Sequence, residues 1–180
     1  MAQNDALVYG ASKERLESLY DAGTFVELGA YTKRKNAPID FEGVVCGYGA
    51  IDGKLVFAFV EDSSRMGAVI DERHAKKIAD LYNLALSNGA PVIAVFDSNG
   101  TDVFQGTAGL AAYGRIMSSV VSASGIIPQI AYVSGKCIGT CAAVASMFDF
   151  VIKEDGAELY VSSPNLTGIK DAQNNTVSYS

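Results

Sequence analysis

The chain is short of the side chains that usually do nucleophilic or acid–base chemistry, since 180 residues include one histidine and three cysteines. Cys46, Cys137 and Cys141 cannot form the fully paired disulfide framework that stabilises small secreted domains. Cys137 and Cys141 have no second pair, and His74 lies far from both in sequence, so we expect no structural zinc site and no other metal. The N-terminus lacks a basic segment followed by an apolar one, which favours the cytoplasm.

Positive charge and long apolar runs are also scarce. The net charge is −6 at pH 7, whereas a protein that binds a nucleic-acid backbone needs clustered lysine and arginine. The densest basic run, residues 33–35, is typical of a solvated loop. No apolar run approaches the ~20 residues that a membrane-spanning helix needs. The sequence therefore argues against nucleic-acid binding and against membrane insertion.

The remaining composition is that of an ordinary globular domain, with 49% hydrophobic and 19% charged residues. A domain of this size buries roughly 70% of the surface of its unfolded chain, which is enough for one core. We expect a single domain over residues 1–180. Its polar tail, from about residue 162, is expected to fray or to await a partner.

The apolar pattern predicts a β-hairpin followed by alternating helices and strands. Residues 43–51 and 54–60 form the hairpin, because Asp52-Gly53 accepts the positive φ angles of a two-residue turn. Predicted helices cover residues 13–20 with Ser12 as cap, 71–87 with Asp71 at the start and Asn88-Gly89 at the end, and 104–123. Further extended segments are predicted at residues 24–28, 91–96, 130–133, 150–153 and 159–161, and a loop at 31–40. This order is typical of an α/β domain with right-handed crossovers.

Two polar turns that contain glycine follow two of the predicted strands. The strand at 91–96 leads into Asp97-Ser98-Asn99-Gly100-Thr101, and the strand at 130–133, predicted to stop at Ser134-Gly135, precedes the small residues 139–145. The first turn of a helix leaves its amides without internal partners, so such turns can hold an oxyanion without a catalytic side chain. If the strands are neighbours in a parallel sheet, both turns can direct amides at one carbonyl oxygen. Tight strand-to-helix packing without a ligand is the alternative, because glycine turns are common in α/β sheets.

Seven segments occur in the order found in the carboxyltransferase subunits of biotin-dependent acyl-CoA carboxylases and decarboxylases, a family that the chain resembles from about residue 11 to 169. The segments are residues 15–19, 23–28, 43–49, 74–78, 88–93, 124–130 and 135–150. The resemblance implies the ClpP/crotonase-like fold, a ββα superhelix in which backbone amides polarise the thioester carbonyl of an acyl-CoA. It also implies that an enolate forms next to that carbonyl and attacks the carboxyl carbon of carboxybiotin.

The resemblance also assigns roles to the glycine turns. The family's Asp-Ser-Gly-Gly-Ala-Arg aligns with residues 97–102, where Asn99 and Asp102 replace a glycine and the arginine. Its Cys-Ala-Gly-Gly-Ala aligns with residues 137–141, where Thr140 replaces the second glycine. The implied oxyanion-hole donors are the backbone amides of Gly100, Thr101, Gly139 and Thr140, and the implied CoA contacts are Gly67, Ala68, Asn99 and Ile138.

Two functions are compatible with this sequence. The first is an acyl-CoA-binding carboxyltransferase-like subunit or half-subunit, without a metal, that works with carboxybiotin on a partner protein. The partner is then a biotin-binding carboxyltransferase half or a biotin carboxyl carrier protein, in a homo- or hetero-oligomer. The second is a catalytically inactive structural partner subunit, because the ligand-facing turns depart from the family while the core segments match it. These turns are the two described above and a third at residues 65–71, which is glycine-rich in the family and keeps a glycine at Gly67. A ClpP-like serine peptidase is disfavoured, since Gly139 occupies the place of the serine.

Overall fold

The computed structural model describes residues 12–30, 43–64, 66–100 and 106–162. Residues 12–17 form helix α1. The later elements are β1 Val26–Leu28, β2 Val44–Ile51, β3 Lys54–Glu61, α2 Glu72–Asn88, β4 Val92–Ser98, α3 Thr107–Ala123, β5 Gln129–Ile138, α4 Thr140–Ala145, β6 Phe150–Lys153 and β7 Glu158–Tyr160, with a 3₁₀ turn at Met66–Ala68. The predicted loop at 31–40 and most of the predicted polar tail lie outside the described residues.

The seven strands form one mixed sheet in the order β1-β2-β3-β4-β5-β6, and β7 pairs with the end of β5. β1, β2 and β3 pair antiparallel, whereas the β3–β4, β4–β5, β5–β6 and β5–β7 pairs are parallel. The predicted hairpin is confirmed, because Asp52 and Gly53 adopt φ angles of 50° and 72° between β2 and β3. The chain is therefore an α/β domain whose antiparallel part comes first.

Buried side chains form two clusters, which are separated by the alternation of residues along the strands. The larger cluster includes Phe59 and Phe96 of the sheet together with Ile78 of α2 and Ile116 of α3. The smaller cluster packs Leu16 of α1 against neighbouring strand residues, which are Val45, Val56, Ala58, Val60 and Val95. None of the described helices is long and apolar enough to cross a bilayer.

The ends of α2 follow the sequence prediction. The Asp71 carboxylate accepts hydrogen bonds from the backbone N–H groups of Arg73 and His74, which satisfies two amides of the first helical turn. Gly89 ends the helix in the left-handed region with φ 62°, a conformation that a residue with a Cβ adopts only at a cost. Both caps were predictable because each depends on a local residue type.

Three other boundaries differ from the prediction. Ser12 is itself helical, and its hydroxyl donates to the Asp62 carboxylate instead of capping α1. α3 begins at Thr107, because Gly106 adopts φ 54° and ψ −125°, outside the helical region. β5 continues past residues 134–135 to Ile138, because its last three residues pair with β7.

The buried side-chain amide of Gln129, at the start of β5, hydrogen-bonds to both α2 and α3. Gln129 Oε1 accepts a hydrogen bond from the Tyr82 hydroxyl at 2.9 Å, and Gln129 Nε2 donates to the Val120 carbonyl oxygen at 3.1 Å. The side chains of Tyr82 and Gln129 are fully buried. Because water cannot replace a lost partner at such a position, these hydrogen bonds hold α2 and α3 over β5.

Replacing the Tyr82 hydroxyl by hydrogen tests this link. Tyr82→Phe leaves Gln129 Oε1 buried without that donor, and we expect the free energy of unfolding to fall by about 1–3 kcal/mol. The measurement is urea denaturation followed by circular dichroism. Tyr132→Phe is the matched control, because the Tyr132 hydroxyl donates to Glu154 at an exposed position and its loss should change stability by less than about 0.5 kcal/mol. If Tyr82→Phe lowers the free energy of unfolding no more than Tyr132→Phe does, the hydrogen bond to the Gln129 side chain does not stabilise the fold.

Candidate functional site

The two glycine turns lie side by side because the strands that precede them pair in parallel. β4 and β5 pair up to Phe96 opposite Val133, and the pairing resumes at Ser98 opposite Cys137. The register shifts between these points, because the step from residue 96 to 98 in β4 lies beside the step from residue 133 to 137 in β5. The prediction that neighbouring parallel strands bring both turns to one edge of the sheet is confirmed.

The Asp97 carboxylate fills the gap at this register shift. Its Oδ1 accepts a hydrogen bond from the Lys136 N–H at 3.0 Å, and its Oδ2 accepts one from the Ser63 hydroxyl at 2.7 Å. Gly135 faces the carboxylate so closely that a Cβ on it would clash with Asp97 Oδ1. Asp97 therefore joins β5 to the segment after β3, a role that the sequence analysis missed. The available signal was Gly135 itself, because a glycine inside a strand often marks the close approach of another group.

The 3₁₀ turn at residues 66–68 is bound to the turn that follows β4. The Asn99 N–H donates to the Gly67 carbonyl oxygen at 2.8 Å, and the buried Ser98 hydroxyl donates to the Ala68 carbonyl oxygen at 2.8 Å. Gly67 has a φ of 71°, and a Cβ built on it would lie 2.5 Å from Asn99 Nδ2. Glycine is therefore favoured there by the backbone angle, whereas the exposed Asn99 side chain can move away from a Cβ.

Gly100 lies where these segments meet the end of β5. Its carbonyl oxygen accepts a hydrogen bond from the Ile70 N–H at 3.3 Å. A Cβ built on Gly100 would lie 3.1 Å from the Ile138 carbonyl oxygen and 3.9 Å from the Tyr113 hydroxyl oxygen. The four residues predicted to contact CoA thus lie close to this glycine; they are Gly67, Ala68, Asn99 and Ile138. Their contact with CoA stays a prediction.

Two of the four predicted amide donors are hydrogen-bonded within the chain. The Gly100 N–H donates to Ser98 Oγ at 3.1 Å. The Gly139 N–H donates to the Tyr160 carbonyl oxygen at 2.9 Å and so joins its turn to β7. Both glycines lie at the expected edge of the sheet, but their amides are directed at the chain itself.

The second member of each predicted pair is a threonine. Thr140 is the first residue of α4 and is half-buried. Its N–H lies at the start of the helix, and its role as a donor to a ligand stays a prediction. Thr101 and the adjacent Asp102 lie outside the described residues. The structure thus brings Gly100, Gly139 and Thr140 to one edge, and the place of Thr101 there stays a prediction.

Four polar side chains are buried in contact with one another beneath the α4 turn. Cys137, Cys141, Glu61 and His74 are each at most 1% exposed. The two sulfur atoms lie 3.2 Å apart, the Cys141 thiol donates to Glu61 Oε2 at 3.7 Å, and His74 Nε2 lies 3.4 Å from Glu61 Oε1. The hydrogen bond with the Cys137 thiol, followed by burial, raises the pKa of Cys141 well above its usual range. Across the described ranges, no group of three or more His, Cys, Asp or Glu side chains is arranged to hold a metal ion.

A surface hollow of about 540 Å³ lies beside α1, away from the glycine turns. Its lining includes three acidic side chains, those of Glu14, Glu17 and Asp21. Since the phosphates of a CoA ester are anionic, a hollow with this charge is unsuited to them. The hollow does not compete with the turns as a site for such a ligand.

The structure and the sequence both identify known relatives. Transcarboxylase 12S, solved as a hexamer with methylmalonyl-coenzyme A and methylmalonic acid bound, matches 93% of this chain and 37% of its own with a TM-score of 0.85 and 27% identity. This likeness to carboxyltransferases confirms the crotonase-like fold. The family model of the carboxyl transferase domain matches residues 11–177. The chain therefore belongs to the carboxyl transferase domain family.

Two relatives of this chain are longer proteins. It is 35% identical over 161 residues to the methylmalonyl-CoA decarboxylase subunit alpha of Veillonella parvula, and this match covers 85% of this chain and 32% of that protein. It is 33% identical over 175 residues to the propionyl-CoA carboxylase beta chain of Roseobacter denitrificans, which covers 93% of this chain and 34% of that protein. The chain spans about a third of the length of these relatives.

A glycine substitution series tests the left-handed backbone of the turn at residues 66–68. Gly67→Ala places a Cβ at a positive φ and displaces the exposed Asn99 side chain, and we expect it to lower the free energy of unfolding by about 1–3 kcal/mol. Gly53→Ala is the control for φ alone, because Gly53 also has a positive φ but no atom within 4 Å of its Cβ position. Its cost should be about 1–2 kcal/mol.

A second control substitutes a glycine with neither constraint. Gly114 lies on an exposed part of α3 with no atom within 4 Å of its Cβ position, so Gly114→Ala should stabilise the protein by roughly 0.5–1 kcal/mol. Denaturation curves of the three variants give the comparison. If Gly67→Ala stabilises the protein, as Gly114→Ala should, the left-handed backbone at residue 67 is wrong.

Proposed function

We propose that this chain is the acyl-CoA-binding part of a carboxyltransferase that serves biotin-dependent carboxylation or decarboxylation. The observation that supports this most is the junction around Gly100, where three turns meet at the carboxyl edge of the parallel strands. In open α/β sheets, ligands bind outside this edge. The junction occurs in a chain that belongs to the carboxyl transferase domain family, so a CoA thioester is the natural ligand for it.

The proposed chemistry uses the main chain. An N–H from the turn after β4 and one from the turn after β5 donate to the thioester carbonyl oxygen, and these donors stabilise the negative charge as the enolate forms. Each such donor is worth about 3–4 kcal/mol in the transition state. The candidate donors are the amides of Gly100 or Thr101 in the first turn and of Gly139 or Thr140 in the second. The Gly100 and Gly139 amides would have to leave their acceptors within the chain in order to serve.

The carboxyl group comes from outside this chain. Carboxybiotin on a partner protein supplies it, and biotin also takes up the proton, so the chain needs no histidine or carboxylate as a base at the turns. The buried position of His74 agrees with this. We propose that the biotin-binding carboxyltransferase half, or a biotin carboxyl carrier protein, completes the transfer site in an oligomer. Transcarboxylase 12S, which is a hexamer, gives a precedent for such assembly.

Two further expectations remain proposals. We place the protein in the cytoplasm, which suits three buried thiols that are all free. We also retain the single-domain organisation over residues 1–180, which the two buried clusters on one continuous sheet support.

A catalytically inactive structural partner is the second candidate. It is favoured by the internal hydrogen bonds of Gly100 and Gly139, which remove two of the four predicted donors. In that case the glycine turns keep a packing role inherited from an active relative. The two candidates differ in whether the chain binds an acyl-CoA at these turns.

Thr140→Pro tests the proposed site by deleting one N–H. Proline is well tolerated at the first position of a helix, so the fold should survive while the donor is lost. We expect isothermal titration with acetyl-, propionyl- or malonyl-CoA to show saturable binding to the unmodified chain and a Kd about 5–10-fold higher for the variant, which corresponds to one hydrogen bond to a neutral carbonyl oxygen.

Thr140→Ala is the matched control, because it removes the side chain and keeps the amide. Its Kd should stay within about threefold of the unmodified chain. Saturable binding that Thr140→Pro leaves unchanged would place the ligand elsewhere. No saturable binding of any of the three esters, with the chain shown to be folded by circular dichroism, would favour the structural partner.

A further inference from the structure

Cys137 and Cys141 are arranged for a reaction with each other that is independent of acyl-CoA binding. Cys137 is near the end of β5 and Cys141 is in the first turn of α4, so the glycine turn lies between them. Their sulfur atoms are 3.2 Å apart, and both thiols are free. A disulfide bond is about 2.05 Å long, so the sulfur atoms need to approach by only about 1.2 Å.

We propose that Cys137 and Cys141 form a dithiol–disulfide pair that a small two-electron oxidant closes and a thiol reductant opens. With hydrogen peroxide, the two S–H bonds and the O–O bond break, one S–S bond forms, and two water molecules leave. With a small disulfide such as oxidised glutathione, two exchange steps give the internal disulfide and two molecules of glutathione. Both thiols are oxidised and the oxidant is reduced in each case.

Access limits the rate of this reaction. Both sulfur atoms are buried, and the high pKa of Cys141 leaves little of the thiolate that attacks an oxidant. The residues between the cysteines, Ile138, Gly139 and Thr140, are all half-buried, so opening of this one turn exposes the pair. We therefore expect oxidation over minutes to hours rather than seconds.

Closure of the disulfide would constrain the turn that carries the proposed amide donor. The ring would run from residue 137 to 141 and include Gly139, whose φ of 64° already sets the turn. Cys141 also donates to Glu61 Oε2, a hydrogen bond that the disulfide cannot make. Oxidation would therefore fix the turn and release the Glu61 carboxylate from the thiol.

Cys46 gives an internal control for this chemistry. It is as deeply buried as the pair, and burial raises its pKa to about 12. Trypsin cleavage after Lys136 and Lys153 puts Cys137 and Cys141 in one peptide, whereas Cys46 lies in the peptide of residues 36–54. The state of each thiol can thus be assigned by peptide mass.

The experiment treats the folded, reduced chain with hydrogen peroxide or oxidised glutathione, then denatures it and alkylates the remaining thiols before digestion. We expect the 137–153 peptide to lose two hydrogen atoms, about 2 Da, and to carry no alkyl group, while the 36–54 peptide stays alkylated. Dithiothreitol before alkylation should restore two alkyl groups. Cys46→Ser should behave as the unmodified chain.

Cys141→Ala should abolish the bridged peptide and leave Cys137 alkylated; Cys141→Ser is the second variant if the first does not fold. The proposal is overturned if both thiols of the unmodified chain remain alkylated after prolonged treatment. It is equally overturned if Cys137 or Cys141 appears as a sulfinic acid or a lasting mixed disulfide without an internal bridge, or if Cys46 is the bridging partner.

Discussion

The parallel pairing of β4 with β5, interrupted by the Asp97 carboxylate, is the constraint on which the rest of the structure depends. The carboxylate takes the place of backbone pairing at the register shift and accepts hydrogen bonds from β5 and from the segment after β3. The strands then resume pairing and end in two turns at the same edge. Together with the hydrogen bonds from Ser98 and Asn99 to the turn at 66–68, this joint fixes the position of that turn relative to Gly100 and the start of α4.

A site made of main-chain amides explains why the turns can change in sequence while the fold stays the same. Asparagine at residue 99 and threonine at residue 140 both keep an N–H group, so substitution does not by itself remove a donor. The geometry of the turn matters more than the side chain. Gly67 shows the limit of this tolerance, since its φ of 71° is one that a residue with a Cβ adopts only at a cost.

Features set by local residue types were predictable from the sequence. Asp52-Gly53 predicted the hairpin, and Asp71 and Gly89 predicted the ends of α2, because each turn or cap depends on a few adjacent residues. The extension of β5 to Ile138 was missed, because it depends on pairing with the distant β7. The bond from Gly139 to Tyr160 and the role of Asp97 were missed for the same reason, since their partners are distant in sequence. The bond from Gly100 to Ser98 is local, and a serine two residues before a turn glycine was an available signal for it.

The central claim is that main-chain amides of the two turns bind the thioester oxygen of an acyl-CoA. The most direct test is the amide NMR spectrum of the ¹⁵N-labelled chain, recorded as an acyl-CoA and, separately, free CoA are added. The account predicts that one amide signal of each pair, Gly100 or Thr101 and Gly139 or Thr140, moves with the acyl-CoA and moves less with free CoA, which has no carbonyl oxygen at the sulfur. Shifts confined to other parts of the chain, with all four amides unmoved, would contradict it.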